Sequence, residues 1–215
     1  MKNTIKQTIL TLTVGLTAVT ANGQSIKDYY IPDAAYNKAN FYSTDKTTGE
    51  RIGMTRVIWY NNKGENYDIV DEHMTDGQIG SVVIKTVQFS STEVKMIKKI
   101  SNSVFAKTNT QQDYDPPIIL LKMPPAGQTL TWSYIESPGS NDKPTKFISS
   151  WTTVTVNGEK KQAIKVVSQY TGMKTKMISY YVKGIGLLKT EMITSAGETI
   201  IMDHFDRLEY DETVK

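Results

Sequence analysis

The chain has no cysteine among its 215 residues. That excludes disulfides, thiol nucleophiles, cysteine metal sites and a lipidated N-terminal cysteine. Only two histidines are present. No G-x-S-x-G elbow occurs, and the serines of "ISSW" (Ser149, Ser150) sit inside a strand-like run with no histidine attached to them by any recognisable pattern. Amphipathic runs of 3.6 period are also missing, so helices are not expected beyond the N-terminal leader. Neither sign of charge dominates, with 25 Lys and Arg against 22 Asp and Glu. The one dense basic run, "KMIKK" at Lys95 to Lys99, is broken by Met96 and Ile97 and reads as a strand with one wet face, not as a nucleic-acid patch.

The beginning of the chain has the layout of a secretory signal peptide over residues 1–23. Lys2 and Lys6 form the basic region, "ILTLTVGLTAV" the apolar one, and Ala21, Asn22 and Gly23 the small-residue end. The apolar stretch is too short to span a bilayer comfortably. Cleavage after Ala21 or after Gly23 satisfies the small-residue rule, and the second leaves Gln24 as the new N-terminus. Loss of both leader lysines lowers the formal charge from +3 to +1, so neither nucleic acid nor a membrane surface is implied by overall charge. The reading is an exported protein, periplasmic or extracellular, with no membrane span left after cleavage. Its mature length of about 190 residues is enough to fill a core without covalent staples.

What the chain does contain is strands. "RIGMTRVIWY" stops at "NNKGEN", "NYDIVDEHM" at "TDGQ", "KFISSWTTVTV" at "NGEK" and "KQAIKVVSQY" at "TGMK". Each break carries Gly, Asn, Asp or Ser, which tolerate or pre-form tight turns, so successive strands should be antiparallel neighbours. Alternation is imperfect: Ile52, Met54, Ile58 and Tyr60 share one face, Thr55, Val57 and Trp59 the other. With apolar residues on both faces, the expected fold is all-β, a strongly curved antiparallel meander forming an open or half barrel, with something covering part of its second face.

Residues 24–215 then form a single domain with a proline-rich crossing at 113–128, "DYDPPIILLKMPPAGQ". Proline removes a ladder donor, so this segment belongs at a sheet edge or between two halves. The halves echo each other: Tyr42, Trp59, Gly64-Glu65 and Gly77 are followed at nearly constant spacing by Tyr134, Trp151, Gly158-Glu159 and Gly172.

"YYVKGIGLLKTE" (Tyr180 to Glu191) reads as a hairpin. A two-residue Lys183-Gly184 loop would set Val182 opposite Ile185, Tyr181 opposite Gly186 and Tyr180 opposite Leu187, with an aromatic ring covering Gly186. Pro124, Gly127, Trp132 and Tyr134, followed by Tyr180, Tyr181, Gly184, Gly186, Leu188 and Lys189, resemble the pattern of little-characterised exported β-rich proteins of Gram-negative envelopes. In those proteins a P…G…W-x-Y segment precedes an aromatic-x-x-G-x-G-x-(Leu/Val)-Lys hairpin. The resemblance covers roughly the last hundred residues. It implies a curved antiparallel sheet and an envelope location, and it carries no activity.

Two residue sets bear on function. Asp71 with His73, and His204 with Asp206, each place a carboxylate two residues from a histidine, on one face of a strand. On adjacent strands these four would offer nitrogen and oxygen ligands to zinc or a similar ion, and would support a metal-assisted hydrolase. The other set is aromatic: Trp59, Trp151, Tyr180 and Tyr181 could form platforms for a lipid-like, glycan or peptide ligand. The poverty of catalytic groups favours the second: an exported, non-enzymatic protein that needs no cofactor and binds an apolar or polymeric ligand or another envelope component.

Overall fold

The structure, a computed structural model, describes residues 24–33, 35–45, 48–62, 66–135, 143–210 and 212. The leader over residues 1–23 lies outside them. One helical turn, α1 (Lys27–Tyr30), precedes β1 (Lys38–Thr44), β2 (Arg51–Asn62), β3 (Asn66–Thr75), β4 (Gln78–Phe89), β5 (Glu93–Ser103) and β6 (Thr108–Lys122). There follow β7 (Thr129–Tyr134), β8 (Thr145–Val156), β9 (Glu159–Tyr170), β10 (Lys176–Val182), β11 (Gly186–Ile193) and β12 (Thr199–Glu209).

All twelve strands form one sheet in the order β6-β5-β4-β3-β2-β1-β12-β11-β10-β9-β8-β7. Every neighbour is antiparallel and, except where β1 meets β12, consecutive in the chain. The expected curved meander is thus a nearly closed barrel. Its first and last strands are zipped together, and its single seam falls in mid-chain between β6 and β7. That is where the prolines lie. In β6 the ladder to β5 passes from Asp113 to Ile118 and omits Pro116-Pro117, while Pro124-Pro125 occupy the link to β7. Because proline offers no N–H to a ladder, these pairs suit a seam and would damage any interior strand. Trp132 holds the seam by donating its indole N–H to the carbonyl of Ile119 at 2.9 Å.

An up-and-down meander sends alternate turns to opposite ends, so the two ends can be described separately. One end carries the β4–β5 and β10–β11 turns and the β6–β7 link, and the N-terminal segment plugs it. Ile26 N–H donates to Ser91 O (3.3 Å), Gly184 N–H to Asp28 O (2.8 Å), and Asp33 N–H to Gly184 O (3.2 Å). Tyr29, 1% exposed, meets Trp151 edge-on at 5.5 Å, and Tyr30 stacks on Tyr181 at 5.9 Å. Val87, Val94 and Leu121, fully buried, complete this packing.

The plug explains the glycines of the β10–β11 hairpin. Val182 pairs with Gly186 and Tyr181 with Leu187, so the loop is the three residues Lys183, Gly184 and Ile185 and not a two-residue loop. A bulge at Leu188 then brings Tyr180 opposite Lys189. The expected cover of Gly186 by a tyrosine ring is therefore replaced by backbone: a Cβ on Gly186 would stand 3.0 Å from Tyr30 O, and φ there is +81°.

Side chains of the second half split cleanly between faces. Ile164, Tyr181 and Leu187 join the interior core, while their neighbours Ala163, Val182 and Leu188 join a second cluster with Val154 and Val156. Adjacent strand residues point to opposite faces, so this cluster lies outside the barrel, where the end of the β8–β9 hairpin folds over β10 to β12. This part of the outer face is covered by the chain itself. The halves keep their order too, Tyr42 and Trp59 on β1 and β2 and Tyr134 and Trp151 on β7 and β8, whereas Gly64-Glu65 lies outside the described residues.

Candidate functional site

Above the plugged end the barrel interior is not filled. A cavity of about 400 Å³ runs along it, and its lining mixes apolar with polar groups. Tyr30, Trp59, Ile69, Tyr181 and Leu187 line it beside the plug, with Lys85 and Lys99 in register with Ile69; toward the open end of β2, β3 and β12 stand Thr55, Asp71, His73 and Asp203, together with the apolar Phe41 and Val83. Inward positions recur every second residue, so β3 contributes Ile69, Asp71 and His73 in succession, and β2 contributes Trp59, Val57 and Thr55. On β2 and β3 the inward row thus passes from apolar to polar, whereas on β4 it runs from Val87 through Lys85 to Val83.

The polar row is interlocked. Lys85 and Asp71 form an ion pair across β3 and β4. Burial opposes the charge on Lys85, but Asp71's charge and hydrogen bond outweigh it and raise the ammonium's pKa. Its side chain keeps 29% of its accessibility because it borders the cavity. Lys99 stands opposite Lys85 in the β4–β5 register. Thr55 Oγ1 lies 3.2 Å from His73 Nδ1. Burial raises the pKa of Asp203, against the lowering effect of His73's charge and of a hydrogen bond from Thr55. Burial also pushes the phenols of Tyr30 and Tyr181 well above their ordinary value, so both remain hydrogen-bond donors.

The metal expectation needs correction. Asp71 and His73 face the cavity from β3, but His204 and Asp206 belong to β12, which β1 and β2 separate from β3. His204 and Asp206 instead border a groove of about 470 Å³ that shares Tyr180 and Leu188 with the outer cluster. His204 stacks on Tyr42 at 5.1 Å, and Asp206 accepts from Arg51 and Arg207, each at 3.1 Å. The four candidates therefore do not meet. No group of three or more His, Asp or Glu among the described residues is arranged to hold an ion. Ser149 Oγ is buried without a hydrogen-bond partner, so no base stands beside it.

The aromatic candidates divide as well. Trp59 and Tyr181 line the cavity. Trp151 is committed to the plug and donates its indole N–H to Pro124 O at 2.7 Å. Tyr180 faces outward and donates to Glu191 at 3.1 Å, with Lys189 over its ring. The sequence reading missed Lys85, Lys99, Asp203 and Tyr30. Lys85 had a legible signal, one charge inside the branched run "VVIKTV". Lys99 did not: a bulge at Ile97 turns it to the same face as the buried Met96, three residues away.

No family model matches the chain, and no curated protein matches it. Two solved structures are similar in fold. One is a Bacteroides fragilis protein described as exported with a YmcC-like fold, at TM-score 0.41 and 11% identity over 84% of this chain and 99% of that one. The other is a β-barrel-like protein of a domain of unknown function from Brucella abortus, at TM-score 0.39 and 11% identity over 83% and 98%. Likeness at these scores says nothing about ligand or activity. Among the described residues no helix is long and apolar enough to cross a membrane.

Proposed function

We propose that this chain is an exported, non-catalytic binding protein whose barrel interior holds one small lipid-like molecule. The observation that carries the reading is the mixed lining of one cavity, in which the apolar walls of Trp59, Ile69, Tyr181 and Leu187 stand beside the ionisable and hydroxyl groups of Thr55, Asp71, His73, Lys85 and Asp203. An amphiphile placed with its apolar part against Trp59, Ile69 and Tyr181 would present its polar part to Asp71, Lys85 and Asp203. The volume lies within the range of about 300–1,000 Å³ that small-molecule sites occupy. A polymer is the poorer fit, since a threading chain needs two open ends and α1 closes one. Export is supported by the leader pattern of residues 1–23.

Native mass spectrometry of the mature protein, isolated from its own envelope without detergent, tests the reading. An organic mass that leaves on denaturation, and whose occupancy falls in Trp59→Ala, is expected. A bare protein that also fails to take up any single-chain amphiphile added at saturating concentration would remove it.

A further inference from the structure

The open end of the barrel differs from the plugged end in what it shows to solvent. Of the ten large apolar residues exposed among the described ones, only Tyr36 and Tyr210 lie toward the plugged end; the other eight stand at or near the opposite turns. Five of the eight belong to the three loops that follow one another around the seam side. The β5–β6 loop presents Val104 and Phe105, the latter 71% exposed. The β7–β8 loop begins at Ile135, and the β9–β10 loop carries Tyr170 and Met173, the latter 59% exposed. The last two loops are tied together, because Thr171 N–H and its hydroxyl both donate to Pro144 O, at 3.2 and 2.7 Å.

The charged side chains described on these loops are all lysines. Lys107, Lys143, Lys146, Lys174 and Lys176 are all exposed, and residues 103–109, 143–147 and 170–176 contain no acid. Glu136 and Asp142 of the β7–β8 loop lie outside the described residues. The three remaining loops of the open end differ: they carry Asp45, Glu50, Asp76 and Glu198, their Arg51 is paired with Asp206, and Lys46 lies outside the described residues. Exposed apolar side chains flanked by lysines, on one side of a rim, match a surface that is apolar within and anionic at its boundary. We propose that the seam-side rim docks this protein onto an anionic lipid membrane, with Phe105 and Met173 inserted at the headgroup boundary and the lysines on the lipid phosphates. Docked so, the open end of the cavity faces the bilayer. The surface stands on its own observations, so it does not depend on the interior holding a ligand.

Flotation of the mature chain with vesicles tests this. Strong partitioning onto phosphatidylglycerol-containing vesicles, weak partitioning onto pure phosphatidylcholine, and loss in high salt are expected. Each lysine removed should weaken partitioning about fivefold, so Lys174→Gln/Lys176→Gln should bind anionic vesicles far less while unfolding at the same temperature. Phe105→Ser/Met173→Ser should lose vesicle binding, and Tyr36→Ser/Tyr210→Ser at the other end should keep it. Equal partitioning onto both vesicle types, or onto neither, would overturn the proposal. So would a concentration-dependent dimer, seen by light scattering, that Phe105→Ser/Met173→Ser dissolves, because the patch would then seat a second copy of the chain.

Discussion

The two ends of this barrel are made from the same strands and turned out oppositely. At the plugged end, interior positions of β4 to β6 and β8 to β11 are apolar, and α1 fills what space remains. Toward the open end, the inward rows of β2, β3 and β12 become Thr55, His73 and Asp203, no described segment fills the space between them, and apolar side chains move outward to the rim. The dense packing therefore belongs to one end, and the cavity proposed to bind opens toward the other. A barrel built only to be stable would bury its rim residues and keep charges out of its interior, since each desolvated charge costs free energy unless it is paired.

Substitutions at the plugged end should cost most. Tyr29→Ala deletes a fully buried aromatic and should destabilise by about 3–5 kcal/mol in urea unfolding, with Tyr29→Phe close to wild type. Gly186→Ala comes next, at about 1–3 kcal/mol for a non-glycine residue held at positive φ, and the 3.0 Å approach to Tyr30 O forces the plug to shift. A plug-side variant that left the unfolding curve unchanged would break the contrast.

Within the cavity the effects are smaller and depend on pairing. Lys85→Met leaves Asp71 without its partner and should cost about 1–3 kcal/mol, most of which Lys85→Met/Asp71→Leu should restore. Asp203 carries the opposite sign. Its folded pKa is raised above the ordinary 3.8, so the folded state holds its proton longer than the unfolded state, and stability falls as pH rises through the folded value. Asp203→Asn should therefore raise the unfolding temperature slightly at neutral pH, with no gain below the ordinary aspartate pKa. At the rim, Phe105→Ser and Met173→Ser should change stability by no more than about 0.5 kcal/mol. A large loss there would show that the rim is packing and not a free surface.

How far the sequence could be read follows the same division. The strands, their turns and the proline-bearing edge were legible because turn chemistry and missing donors act locally, at "TDGQ", "NGEK" and Pro116-Pro117. The β10–β11 hairpin was legible as a hairpin but not in register, because the plug that occupies the space over Gly186 lies far away in sequence. Asp71 and His73 share a face, as their spacing implies, and border the cavity. Their partners were assigned to His204 and Asp206 when the inward residue of that strand is Asp203. One residue of register decides which face a side chain takes, and sequence does not fix that wherever bulges interrupt the ladder, as they do in β4, β5, β6 and β12.

By itself, then, the sequence determined an all-β antiparallel meander without disulfides, its turn positions, and the place where the sheet would open, all of which rest on interactions between near neighbours. Only the tertiary structure decided that β1 closes on β12, that α1 seals one end, and that Lys85, Lys99 and Asp203 share a cavity with Tyr30 and Tyr181. Those outcomes depend on the summed curvature and register of twelve strands, and contacts set by closure join residues that no local pattern relates.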